Sequence, residues 1–252
     1  MKKFIITGIT GLFLLSLIAA PALELYAQEK KSDPKAMEML EKMVNAMGGR
    51  KALEAVKDTT ASGSMELIQM GMEGSVTVYT KRPNMMRMDI EVMGMTITQA
   101  YDGTIAWGVN PQTGSVEEMP EEQTAQFTRE ALGDEVFLHP EKHGVVFTYK
   151  GAEKIEDVEH HVLVMSYPDG FESTLYLDGK TFLIYKTQAV APNTMTGADS
   201  DVETVFADYK ELQGTMISYS FTQYMDGEEF MIFTMEEIKY NENLEDSLFK
   251  KD

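Results

Sequence analysis

The chain contains no cysteine. That absence excludes a disulfide, a thiol nucleophile and an acylated amino-terminal cysteine of the kind that makes a lipoprotein. Its fold must be held by an apolar core alone. The sequence also lacks Gly-x-Ser-x-Gly, His-Glu-x-x-His and a phosphate loop, the local signatures of several common catalytic sites. Of the four histidines, His139 and His143 have ligand-like spacing. Pro140 directly after His139 argues against a helix that presents both on one face, and His160 and His161 would point to opposite sides of a strand. We therefore expect no metal, no cofactor and no enzymatic activity. Basic residues are scarce too: 22 Lys and Arg against 41 Asp and Glu give a net charge of −19. Such a surface repels nucleic acid phosphates and anionic head groups over roughly a Debye length, which argues against nucleic acid and peripheral membrane roles. The same charge equally serves to keep an exported protein in solution.

The amino terminus carries Lys2 and Lys3, an apolar run from Phe4 to Ala20, the breaker Pro21, and Leu25-Tyr26-Ala27 before Gln28. This is the build of a cleavable signal peptide over residues 1–27, which predicts an exported chain. An uncleaved anchor is the alternative, but a spanning helix wants about 20 residues and the run offers fewer. Loss of Lys2, Lys3 and Glu24 would leave the mature chain one charge more negative. Residues 28–252 are about 225 residues, enough for one self-sufficient domain. Twenty methionines suit either an ordinary core or a surface that must fit irregular partners.

Local patterning predicts a mainly β protein. Asp33 as cap, Pro34 in the first turn, Met37, Leu40, Val44 and Met47 at helical spacing and Gly48-Gly49 as the stop predict a first helix, with a short one from Arg50 to Val56. From Asp58 to Asn110 the period changes to that of five strands, with turn signals at Gly71, Pro83-Asn84, Met93-Gly94 and Asp102-Gly103. Alternation groups Val76, Val78, Thr80 and Arg82 with Met86, Met88, Ile90, Met95, Ile97, Ile105, Trp107 and Val109 on one Met-rich inner face. Pro120 to Leu132 reads as a helix inside an insertion of about 30 residues, too long for a passive turn and suited either to a lid or to a plug at a barrel end. Seven further strands follow, from Val145 to Tyr240, with Asp169-Gly170, Asp178-Gly179 and Asp226-Gly227 as hairpin turns. The expected architecture is an incomplete, curved antiparallel β-barrel of about 11–12 strands with an amino-terminal helix and a helical lid insertion.

Lys81-Arg82-Pro83-Asn84, Asp102-Gly103, Trp107 and Asn110-Pro111 resemble, in order and spacing, the periplasmic lipoprotein carrier family LolA, in the LolA/LolB-like superfamily, and its outer membrane lipoprotein-sorting relatives. Ala46-Met47-Gly48-Gly49-Arg50-Lys51-Ala52-Leu53, Leu177-Asp178 with Lys186-Thr187, and Asp208-Tyr209-Lys210 before Gly214 extend the resemblance along the chain. It implies a hydrophobic cavity under a helical lid, and an arginine at Arg82 that holds the lid shut through hydrogen bonds to lid backbone. Met86 stands where the carrier uses an aromatic, and Ser218 where the broader group often has proline.

On this reading Val78, Met86, Met88, Ile90, Met95, Ile97 and Trp107 line a lipid-binding cavity latched by Arg82. Burying a 16-carbon chain gives on the order of 10 kcal/mol, against about 1.5–3 kcal/mol for one charge-assisted hydrogen bond, so cargo can open such a latch. For Arg82 the plain alternative is a pair with a nearby carboxylate, and for Trp107 it is core packing. Asp102-Gly103 and Asn110-Pro111 read as turns that set register. The expected partners are lipoprotein acyl chains or another lipid, with an inner-membrane donor and an outer-membrane acceptor, for a monomeric carrier. A periplasmic sensor or scaffold on the same fold, acting through protein contacts, is the second reading.

Overall fold

The computed structural model describes residues 31–192 and 198–251; the expected signal peptide lies outside the described residues. Helix α1 (Pro34–Ala46) starts where Asp33 Oδ1 accepts from Ala36 N at 2.6 Å. It buries Met39, Leu40, Met43 and Val44. It ends at Gly48, whose φ of +116° favours glycine and where a Cβ would lie 2.2 Å from Gly214 O. Helix α2 (Arg50–Ala55) follows.

Five strands then run as a meander: β1 (Asp58–Leu67), β2 (Met72–Lys81), β3 (Met85–Val92), β4 (Met95–Tyr101) and β5 (Ala106–Val109). A short β6 (Val116–Glu118), all exposed, was not expected from the sequence. Helices α3 (Glu121–Ala131) and α4 (Glu135–Leu138) form the insertion. The second meander comprises β7 (Val146–Ile155), β8 (Val158–Ser166), β9 (Glu172–Asp178), β10 (Ile184–Pro192), β11 (Asp199–Leu212), β12 (Thr215–Met225) and β13 (Glu228–Tyr240).

All thirteen strands join one antiparallel sheet in the order β6-β5-β4-β3-β2-β1-β13-β12-β11-β10-β9-β8-β7. The barrel is therefore unclosed, and its two free edges, β6 and β7, are consecutive in the chain. What joins them is the α3–α4 insertion. Two-residue turns keep neighbouring strands in tight hairpins. Met93-Gly94, Gln213-Gly214 and Asp226-Gly227 carry positive φ at both positions, the geometry whose twist matches that of the flanking strands. Near its middle the sheet bends at a bulge between Ser62 and Gly63. A Cβ on Gly63 would sit 2.0 Å from Thr234 O, so this close approach of β1 to β13 requires glycine.

The helices cover one face, the inner face, at both ends. α1 packs Met39, Leu40 and Met43 against Phe147, Leu163, Leu175 and Leu177 of β7–β9, joined by Val136 of α4. α3 packs Phe127 and Ala131 onto Tyr101 and Ala106 of β4 and β5. Leu138 of α4 meets Val44 and Leu53. The insertion thus ties one end of the sheet to the other through apolar contacts at each of its ends.

Candidate functional site

Between those two covered ends lies a cluster made of sheet residues alone. Met65, Val76 and Phe233 are its buried centre, with half-buried Leu67, Val78, Met88, Ile90, Phe221, Met231 and Met235 around them. Strand register explains why they meet. One row of directly opposed residues runs Phe206, Phe221, Phe233, Met65, Gly74, Val92, Met95 across seven strands. The Phe221 and Phe233 rings stack at 4.8 Å, and Phe206 adds a tilted ring 6.2 Å from Phe221. A second row runs Met235, Gly63, Val76, Ile90, Ile97.

Five of the seven candidate lining residues fall on or beside this floor, with differences in cover. Val78, Met88 and Ile90 belong to the cluster and Ile97 opposes Ile90. Met95 is at the rim and 49% exposed. Met86 is on the inner face, but it packs under α3 with Tyr101 and Phe127. Trp107 is on the other face. It opposes Ala100 and Glu118, and its Nε1 donates to Phe249 O at 2.8 Å, so the indole seats the carboxy-terminal turn Asp246–Phe249. The inner-facing residues of β5 are Ala106 and Gly108, which oppose Tyr101 and Gln99. Ile105 and Val109 accordingly do not continue the inner face as their size suggests, because β5 begins at Ala106 and reverses the alternation. The small residues give Phe127 of α3 and Met119 room to approach.

Arg82, at the end of β2, joins three segments. Nε donates to Val56 O at 2.8 Å and Nη2 to Leu53 O at 3.2 Å, which closes the carboxyl end of α2. Nη2 also donates to Asp134 Oδ1 at 2.6 Å and Nη1 to Glu135 Oε2, the two acids at the start of α4. Its side chain is 20% exposed. Burial pushes the Asp134 carboxyl up from its ordinary value, against the opposing pull of Arg82. The plain alternative of a carboxylate pair thus coincides with a tie to the insertion, made through side chains rather than the lid backbone that the resemblance implies. Beside these bonds a cavity of 210 Å³ opens among Leu53, Val56, Leu132, Met216, Ile217 and Tyr240.

A second arginine was missed by sequence reasoning. Arg50 holds Glu41 through Nη2 at 2.8 Å and donates Nη1 to Leu138 O at 2.6 Å, so the end of α4 is also tied to the α1–α2 corner. The available signal was its place in the Gly48-Gly49-Arg50 stretch that carries part of the resemblance. Two histidines are engaged in ring packing: His160 lies 4.6 Å from the Tyr185 ring and His161 stacks on Phe182; His139 lies beside Glu54 and His143 beside Glu135. Among the described residues no three His, Cys, Asp or Glu side chains gather to hold a metal ion. Asp102 Oδ1 accepts from Thr104 N and Ile105 N, and Asn110 Oδ1 from Gln112 N and Thr113 N, so both act as turn builders.

Comparison with known proteins finds the fold and not a sequence family. No family model and no curated protein matches the chain. A Vibrio parahaemolyticus structure described as an outer membrane lipoprotein-sorting protein domain is 14% identical, with a TM-score of 0.58 over 85% of this chain and 96% of that one. A DUF1329 family protein from Desulfovibrio piger is 13% identical, with a TM-score of 0.60 over 88% of this chain and 98% of its own. A LolA superfamily protein from Nitrosomonas europaea is 14% identical, with a TM-score of 0.58 over 86% and 97%. This chain has the LolA-like fold.

Proposed function

We propose that the protein is a non-catalytic periplasmic carrier, one domain over residues 28–252, that buries the acyl chains of a lipoprotein or another lipid on its inner face and hands them toward the outer membrane. The observation that carries this reading is the helix-free apolar floor. Apolar residues from Phe206 to Met95 form one row broken only by Gly74, the cluster at its centre contains sheet residues only, and seven of its members remain half-buried. Such a surface gains free energy from an apolar guest at about 25 cal/mol per Å² covered. Flexible methionines, Met65, Met88, Met231 and Met235, let it adapt to chains of varied shape.

Arg82 supplies the gate. It draws α4 to α2 through four hydrogen bonds, two of them to carboxylates. Those bonds are weak beside the burial of a whole acyl chain, so cargo displaces the insertion and the insertion closes again when cargo leaves. No cofactor takes part. A donor in the inner membrane and an acceptor in the outer membrane are the partners this cycle needs, and the carrier acts as a monomer. The likeness in fold to a lipoprotein-sorting domain is consistent with the same class of cargo.

The test is displacement of a fluorescent 16-carbon acyl probe from the purified protein and from Met88→Asp and Ile97→Asp variants. Saturable binding that both variants lose while keeping their thermal transition supports the carrier. No binding by the parent protein refutes it and leaves a sensor or scaffold acting through protein contacts.

A further inference from the structure

Part of the inner face breaks the apolar rule. A row of opposed residues runs Leu175, Thr187, Thr204, Gln223, Met231 from β9 to β13, with three polar side chains between apolar ends. The neighbouring row places Ser173 beside Ala189 and Val202. Polar residues at inward positions cost free energy unless something satisfies them. Among the described residues these four side chains make no hydrogen bond to protein, and their polar atoms are not sealed from solvent: they open onto a cavity, Ser173 at 9% exposure included.

All four line one cavity of 480 Å³, within the range of about 300–1,000 Å³ typical of small-molecule sites. Its opposite wall is α3, which contributes Glu122, Gln126, Arg129 and Glu130. The charge there is one-sided in effect. Arg129 lies 4.2 Å over the Phe171 ring and pairs with Asp169, so its cation is already engaged. Gln126 Nε2 donates to Glu130 Oε1 at 2.8 Å, which leaves the second carboxylate oxygen of Glu130 available as an acceptor. Thr204 and Gln223 are each two residues along their strands from Phe206 and Phe221 on the same face. The polar cavity therefore abuts the aromatic row, as head group and tail would require.

We infer that this cavity is the head-group subsite of the acyl-binding face, and that it takes an amphiphile whose uncharged or cationic head carries hydroxyl or amine donors. Hydroxyls and amides of Thr187, Thr204, Gln223 and Ser173 meet such a head on the sheet side, and Glu122 and Glu130 face it from α3. An anionic head meets Glu122, Asp199 and Glu130, the last with its carboxyl pushed up from its ordinary value by burial, and an arginine that is already paired. The inference rests on the carrier reading and names its ligand class.

The experiment compares three ligands of equal chain length, 1-palmitoylglycerol, hexadecylamine and palmitate, as competitors of the fluorescent acyl probe at neutral pH and below their aggregation limits. A hydroxyl or ammonium head donates to the acceptors on Thr204 and Gln223, and a carboxylate head has no donor, which predicts a preference on the order of tenfold for the first two over palmitate. A Thr204→Val, Gln223→Leu double variant, shape-compatible with its strands, brings that preference to about twofold or less while palmitate affinity is retained or improved. Equal competition by all three ligands, or a preference unchanged in the double variant, overturns the subsite and leaves acyl burial standing. Competition by none removes the carrier reading, and the subsite with it.

Discussion

Arg82→Leu removes all four hydrogen bonds of the gate and leaves Asp134 beside Glu135 without its cation, Glu135 keeping Lys142 at 3.7 Å. Breaking one partner of a fully buried ion pair costs about 3–5 kcal/mol. Arg82 is 20% exposed, so water relieves part of that cost. We expect about 2–4 kcal/mol to be lost from the closed state, a shift of roughly 30- to 700-fold in the ratio of closed to open insertion at 1.4 kcal/mol per decade. Amide hydrogen exchange reads this directly. Protection across 121–138 should fall by that factor, while protection in β7–β9, which rests on Phe147, Leu163 and Leu175, stays within about twofold. Arg82→Lys keeps the charge but not the planar fork, and should fall between the two proteins. The same variant should load cargo and release it slowly, because the closed empty state no longer competes for the site. Unchanged protection of the insertion in Arg82→Leu, or parental release by a variant that loads normally, would refute the reasoning.

Asp134→Asn should cost less than about 1 kcal/mol, since burial already favours a neutral group at that position; a loss as large as that of Arg82→Leu in the same exchange measurement would contradict this. Trp107→Phe deletes the bond to Phe249 O on the outer face and should lower stability by about 1–3 kcal/mol in chemical denaturation with probe affinity unchanged; for the same reason tryptophan fluorescence of the parent should report seating of the carboxy-terminal turn and stay flat on lipid titration. Asp33→Ala removes the cap of α1 and should cost about 0.5–2 kcal/mol. Bonds from Tyr149 N, then Ala36 N, hold the Asp33 carboxyl below its ordinary value. Its charge-dependent contribution is therefore present above the unfolded value near 4 and fades as pH falls through the folded one, and the stability gap to Asp33→Asn should close there.

The meander architecture was legible because its determinants are local. Gly-containing turns and period-two alternation located twelve of the thirteen strands, and the Asp33 cap, Pro34 and the Gly48-Gly49 stop bounded α1. β6 escaped because Val116–Glu118 carries no alternating pattern and is wholly exposed. The lengths of β7 and β8 escaped because their hairpin turns at Glu156-Asp157, both at positive φ, without the glycine that advertises such a turn. Face assignment failed at Trp107 for a different reason. The turn built by Asp102 absorbs Ile105, the strand starts one residue later, and the inward positions are filled by Ala106 and Gly108 so that α3 can approach. Bulk is a poor guide to direction where a helix lies close above a strand. Arg82 was readable as an inward cation, but its acidic partners Asp134 and Glu135 lie 52 and 53 residues further along the chain. The polar row Thr187, Thr204, Gln223 is likewise visible only once two hairpins are in register.

The central claim is that the helix-free floor holds lipid. Native mass spectrometry with lipid extraction, on protein recovered from the periplasm without detergent, tests it most directly. The account predicts bound acylated species in the parent protein that are lost from folded Met88→Asp and Ile97→Asp variants. A parent protein that is consistently empty and takes up no added lipopeptide would contradict it.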